Sequence, residues 1–235
     1  MDQDCSLLDK GRTGSMKSKV APQISDLSAQ LERIRSWVIT TYGSTQNVNF
    51  SLVEYPDWNE LRTAFVDAVH CKPIDLWTKR ECSIFREAIT MDWQRHLLLD
   101  GVSSSELIEM AIKTYPDKVI TMYFLVGVRV LSDVPSLQRV ALYHFDVSPD
   151  DAVREEAFQM LARCKWSQTE KQALLFWKSG KVSEQIVALN ALAAYESEQL
   201  DRYLDLAEST NDPSLMRIAR ATRTLEALKK ADARH

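Results

Sequence analysis

Glycine and proline are scarce, six and seven in 235 residues. So few turn formers cannot supply the many tight connections of a multi-stranded β fold, which leaves helices joined by short links. Cysteine is sparse as well. Cys5, Cys71, Cys82 and Cys164 show neither a CxxC pair nor metal-ligand spacing, and no secretory signal precedes them. That usage excludes a disulfide framework and points to reduced thiols in a cytoplasmic protein. Long apolar runs are missing: the most apolar stretch without charge, Val119 to Val128, is about half of what a bilayer crossing requires, so no membrane span is read. Nor is there an excess of cations. With 29 Lys and Arg against 33 Asp and Glu the formal charge is −4, the wrong sign for general phosphate binding, and nucleic acid is not an expected partner.

Catalytic signatures are equally thin. There is no HExxH, GxSxG, P-loop or GxGxxG, and no cofactor or metal site is read. His70 adjoins Cys71, but neighbours on a helix point about 100° apart and do not form a dyad. His96 follows Asp92 by four residues, a spacing that suits a solvated side-chain pair on one helix face.

What the chain does contain is repetition. Three helical phrases begin at Asp150, Lys181 and Asp212, and within them Ala157, Ala188 and Ala219 fall 31 positions apart each time. Asp117 starts an earlier unit, 33 residues before Asp150. Each unit reads as a first helix, a turn, a second helix and a turn, and a period in this range marks a stacked array rather than a closed globule.

Residues 1–15 lack a helical period and end in Gly-Ser before Met16. They read as an expression leader, within a structureless 1–20 segment ahead of a single repeat domain over 21–235. An amphipathic helix follows from Ser25 to Tyr42. Alternation of Val48, Phe50 and Leu52 then predicts a short strand or an extended loop near 47–55. Asp57 caps the next helix. Thr78–Glu81, Ser103–Glu106 and Ser167–Glu170 each match the capping-box pattern, and Lys118–Leu131 reads as one helix despite its valines.

At Asp150-Asp151-Ala152-Val153-Arg154-Glu155-Glu156-Ala157 the chain resembles HEAT repeats of the short phycobilisome-lyase-like kind, in which an acid, Val-Arg and a small residue open the first helix. The resemblance covers roughly residues 117–230, with Gln185 and Met216 standing where the arginine belongs. It implies an α-α superhelix whose concave side, lined by second helices, binds protein. The expected fold is therefore all-α, a superhelix of stacked HEAT-like helix pairs.

Two of the six tryptophans are placed for surface contact: Trp77 just before a capping box, and Trp166 in a turn after Lys165. With Asp150, Asp151 and Glu155 they form the expected partner-binding set. The acidic balance suits a basic protein partner. The expected function is a non-catalytic protein-binding module, an adaptor or inhibitor, an immunity protein that neutralises a toxin included. Two alternatives stand beside it. One is a scaffold subunit of a larger complex. The other is a HEAT-like DNA glycosylase acting on alkylated bases, a family that sets paired tryptophans beside a catalytic aspartate. Asp92-Trp93 is the one adjacent Asp/Trp pair available for that role.

Overall fold

The computed structural model describes residues 22–45, 48, 54–93 and 95–232. The leader and most of the 47–55 segment lie outside the described residues. Within them the chain forms eleven α-helices and no strand. These are α1 (Pro22–Tyr42), α2 (Trp58–His70), α3 (Lys79–Asp92), α4 (Ser104–Ala111), α5 (Lys118–Gly127), α6 (Val134–Val147), α7 (Asp151–Arg163), α8 (Thr169–Lys178), α9 (Val182–Tyr195), α10 (Leu200–Ser209) and α11 (Pro213–Asp232). Short 3₁₀ turns intervene at Ile74–Leu76, Leu97–Leu99 and Val128–Val130.

The odd-numbered helices make one row, each packed on the next: α1 on α3, α3 on α5, α5 on α7, α7 on α9 and α9 on α11. From α4 onward each even helix lies on the odd helix that follows it, whereas α2 lies on α1. The periodic alanines explain the close row. Ala157, Ala188 and Ala219 are fully buried on α7, α9 and α11, where a small side chain lets two helix backbones approach. The first helices of the units form the tightly packed row, and the second helices α6, α8 and α10 pack chiefly against it.

Aspartate sets the start of three odd helices. Asp117 accepts from Val119 N–H at 2.8 Å, Asp150 from Ala152 and Val153 N–H at 3.0 and 3.3 Å, and Asp212 from Ser214 and Leu215 N–H at 2.9 and 3.0 Å. Each cap satisfies amides that have no partner inside the helix and places a negative charge at the positive end of its dipole. Lys181, the odd member of the series, makes no such bond. The exits repeat too. Lys165 and Glu196, 31 residues apart, hold left-handed φ values of 55° and 61°. Behind them Trp166 N–H donates to Leu161 O and Ser197 N–H to Leu192 O, both at 3.0 Å, the closing bond of a Schellman motif. Lys165 and Glu196 also pair with each other at 2.8 Å, which links one exit to the next.

Several local expectations are corrected. Thr78 and Glu81 do form the reciprocal box, but Ser103 makes only half of one, because Glu106 turns to His70 at 3.2 Å. The Ser167–Glu170 box is absent: α8 starts at Thr169, whose hydroxyl donates to Trp166 O at 2.7 Å, and Glu170 accepts from Ser197. Asp57 precedes α2 without a side-chain bond to the helix start. The predicted helix over 118–131 ends at Gly127 and tightens into the 3₁₀ turn. Gly127 is where α5 meets Leu99, since a Cβ there would lie 2.4 Å from Leu99 Cδ1. Gly127→Ala is therefore expected to destabilise by about 1–3 kcal/mol despite the gain in helix propensity, measured by urea unfolding.

A buried and a half-buried histidine give the fold a pH dependence. His144 is fully buried on α6, and its Nε2–H donates to Ala111 O on α4 at 2.5 Å while Nδ1 has no partner. Burial pushes the His144 pKa down, opposed by the Ala111 bond. Burial also lowers that of His96, with Arg129 adding to the effect and Asp92 opposing it. A folded state that disfavours the protonated ring binds fewer protons than the unfolded chain below about pH 6.5, so stability falls as pH drops through and below that value. The melting temperature is expected to fall by several degrees between pH 7.5 and pH 5.5, and by less in a His144→Asn variant.

Candidate partner-binding surface

The residues expected to bind a partner are dispersed and largely occupied. Trp77 is 7% exposed, stacked on Phe85 with centroids 4.2 Å apart and planes 5° apart, and its indole N–H donates to Lys72 O at 3.4 Å. Its expected surface role is corrected to core packing. Trp166 is half-buried, edge-on to Phe145 at 5.9 Å, and packs against both hydrophobic clusters of the array. It joins the two halves of the core rather than facing solvent.

The acids sit together at the start of α7, but two of them already have tasks. Asp150 caps α7 and pairs with Lys118 at 3.4 Å, as Asp117 pairs with Arg86 at 2.6 Å one unit earlier. Asp151 pairs with Arg154 three residues on. Glu155 is left in an acidic neighbourhood: burial, then Asp151, Glu184 and Asp150, push its pKa up, with Lys181 opposing. Asp150 is thus paired across neighbouring units and Asp151 within its own helix.

Groups with chemical potential are also engaged internally. Asp92 is fully buried and accepts three bonds, from Leu97 N–H at 2.9 Å, Leu98 N–H at 2.8 Å and Tyr123 Oη–H at 2.6 Å. The expected solvated pair with His96 is not its role. The chain leaves α3 after Asp92, His96 adopts φ 52°, and its ring stacks on Tyr123 at 5.0 Å. A carboxylate enclosed this way cannot approach a nucleobase, which removes the footing of the glycosylase alternative. His70 points to Glu106, and burial raises the pKa of the Cys71 thiol, the reverse of an activated nucleophile. No group of three His, Cys, Asp or Glu side chains that could hold a metal occurs among the described residues. None of the described helices is long and apolar enough to cross a membrane.

A different surface stands out where α5, α6 and α7 meet. Val128 is fully buried and anchors the 3₁₀ turn, closed by Leu131 N–H to Val128 O at 3.0 Å. With about three residues per turn, Val130 lies roughly 120° around the turn from the buried Val128 and faces outward. Val130 is 81% exposed and Val134, at the start of α6, is 46% exposed. Beside them is a cleft of about 330 Å³ lined by Arg129, Val134, Leu137, Met160, Arg163 and Cys164. Arg129 pairs closely with Glu156 on α7, and Arg163 Nη1 reaches the same carboxylate at 4.0 Å.

Among protein families, curated proteins and solved structures, nothing matches this chain significantly. The cleft therefore stands on its own geometry. Sequence reasoning missed it because the valines of Val126-Gly127-Val128-Arg129-Val130 read as one buried helix. The available signal was Asp133-Val134-Pro135, whose proline marks a helix start and so requires α5 to end earlier, leaving a turn in between.

Proposed function

We propose that the protein is a non-catalytic protein-binding module, an adaptor or inhibitor built on a HEAT-like helical array, and that it takes its partner at the α5–α6–α7 edge. The observation that carries this reading is an exposed Val134 lining a largely apolar cleft flanked by Arg129 and Arg163, with Val130, next in sequence to Arg129, exposed as well. Exposed aliphatic side chains around a concavity, with arginine at the margin, are the composition of a protein interface. A surface carried on packed helices needs little ordering when it binds, which suits an inhibitor such as an immunity protein that must hold a toxin tightly. Cys71, Cys82 and Cys164 are free, in keeping with a cytoplasmic place of action.

The test is site-specific photocrosslinking from position 130 in the native cell extract. One saturable protein adduct of defined stoichiometry is expected, suppressed by unlabelled protein and lost in Val134→Asp. Adducts that do not saturate, or that survive Val134→Asp unchanged, would count against the reading. Because Val134 is exposed, Val134→Asp is expected to change folding stability by no more than about 0.5 kcal/mol.

A further inference from the structure

The acidic net charge suggested a basic partner. The cleft selects for the opposite sign. Its lining carries two guanidinium groups, Arg129 and Arg163, and no carboxylate. Glu156 sits against both but can balance only one. Asp133, an exposed acid next in sequence to Val134, is not part of the lining. The remaining walls, Val134, Leu137 and Met160, are apolar.

Resting on the protein-binding reading above, we propose that the occupant of this cleft is an acidic peptide segment of a partner protein. A bulky aliphatic or aromatic side chain of that segment fills the space beside Leu137 and Met160, and an adjacent Asp or Glu pairs with Arg163 and Arg129.

Three features support that choice. First, two arginines around a single carboxylate leave one planar fork available, and guanidinium matches a carboxylate through two parallel bonds. Second, Arg129 is held in its protonated form less firmly than usual: burial, then the charge of Arg163, lower its pKa to about 10. A second carboxylate would relieve that repulsion. Third, Arg163 is the more exposed of the two, so it can meet an incoming anion without giving up a buried bond. The size is also apt, since a cleft of about 330 Å³ accepts one or two side chains rather than a folded element.

The test uses the full chain and three fluorescently labelled peptides of twelve residues. They share a central Leu-Phe and differ only in having Glu, Gln or Lys on both sides of it. Binding is followed by anisotropy at two salt concentrations. The Glu peptide is expected to bind at least about tenfold more tightly than the Gln peptide, a difference of the size that one interface arginine makes. It should also lose affinity as salt rises, and the Lys peptide should bind weakest. Arg163→Glu is expected to reverse the order of the Glu and Lys peptides, and Val134→Asp to weaken all three, each with an unchanged melting temperature. Should Val134→Asp prove unstable, Arg163→Glu and the salt dependence decide the matter alone.

Equal binding of the three peptides, tightest binding of the Lys peptide, no binding at all, or an Arg163→Glu variant with unaltered preference would each overturn the proposal. The crosslinking experiment separates its failure from that of the broader reading. A saturable adduct at Val130 with no preference for the Glu peptide removes the acidic segment and keeps the partner surface, whereas absence of both removes the surface as well.

Discussion

Asp92→Ala is expected to cost about 3–5 kcal/mol of folding stability, the scale for stranding buried groups that had shared one charged partner. The carboxylate receives three donors. Leu97 and Leu98 N–H open the 3₁₀ turn after α3, and the Tyr123 hydroxyl arrives from α5. Burial pushes the Asp92 pKa up, while the Leu98, Tyr123 and Leu97 bonds and the His96 charge pull it back. The net direction means that ionised Asp92 is itself held at some cost, so its value lies in organising donors rather than in its charge. Asp92→Asn should consequently lose less than Asp92→Ala, because one oxygen still accepts while the new amide faces a donor. Tyr123→Phe should cost about 1–2 kcal/mol, and in the Asp92→Ala background much less, since the pair acts as a unit. Equilibrium unfolding in urea measures all four proteins. An Asp92→Ala variant within about 1 kcal/mol of wild type would show that the turn finds other acceptors.

A comparable loss, about 3–5 kcal/mol, is expected for Glu81→Ala. Glu81 is fully buried at the first turn of α3, accepts both from Lys72 Nζ at 2.7 and 2.6 Å, and accepts from Thr78 N–H and Oγ1–H at 2.7 and 2.8 Å. Burial alone would raise its pKa, but the Lys72 and Thr78 donors outweigh that and lower it. A depressed carboxylate pKa contributes stability above the unfolded value and loses it as pH falls through the folded one. The Glu81 contribution therefore persists at pH 5.5, where the histidine effect is already felt, and disappears only in stronger acid. Lys72→Met should also be costly because it leaves Glu81 charged and underpartnered. The double variant Lys72→Met with Glu81→Leu should recover part of the loss, less the capping bonds. A double variant as unstable as the sum of the singles would mean that the ion pair is not what the two residues share.

Much of the fold was legible in the sequence where structure is set locally. Asp117, Asp150 and Asp212 act as caps because a short carboxylate reaches the amides two and three residues ahead whatever the helix later touches. The 31-residue alanine spacing marked the contact line of the odd row because only small residues permit that approach. The errors came where a third element decides. Trp77 precedes a capping box and reads as surface, yet Phe85 of α3 and Tyr115 in the link after α4 pack against it. Ser167 has the capping pattern, but Glu170 is drawn to Ser197, twenty-seven residues away. The candidate site was least legible of all. Neither the outward turn of Val130 nor the meeting of Arg129 with Arg163 can be foreseen without knowing where α5 stops and which end of α7 lies beside it.

The one-sided row of odd helices has a consequence for how the chain assembles. Each member is fastened to its own even-numbered helix and to the members before and after it, so closure involves loops of at most roughly one unit, and loop entropy grows only slowly with such lengths. Growth can start on any adjacent pair and zip toward both ends, with no distant strand to wait for. Unzipping runs the other way. Helix segments with little buried apolar surface open first, and Leu225 and Leu228 of α11 are exposed where the helices around α5 and α7 bury theirs.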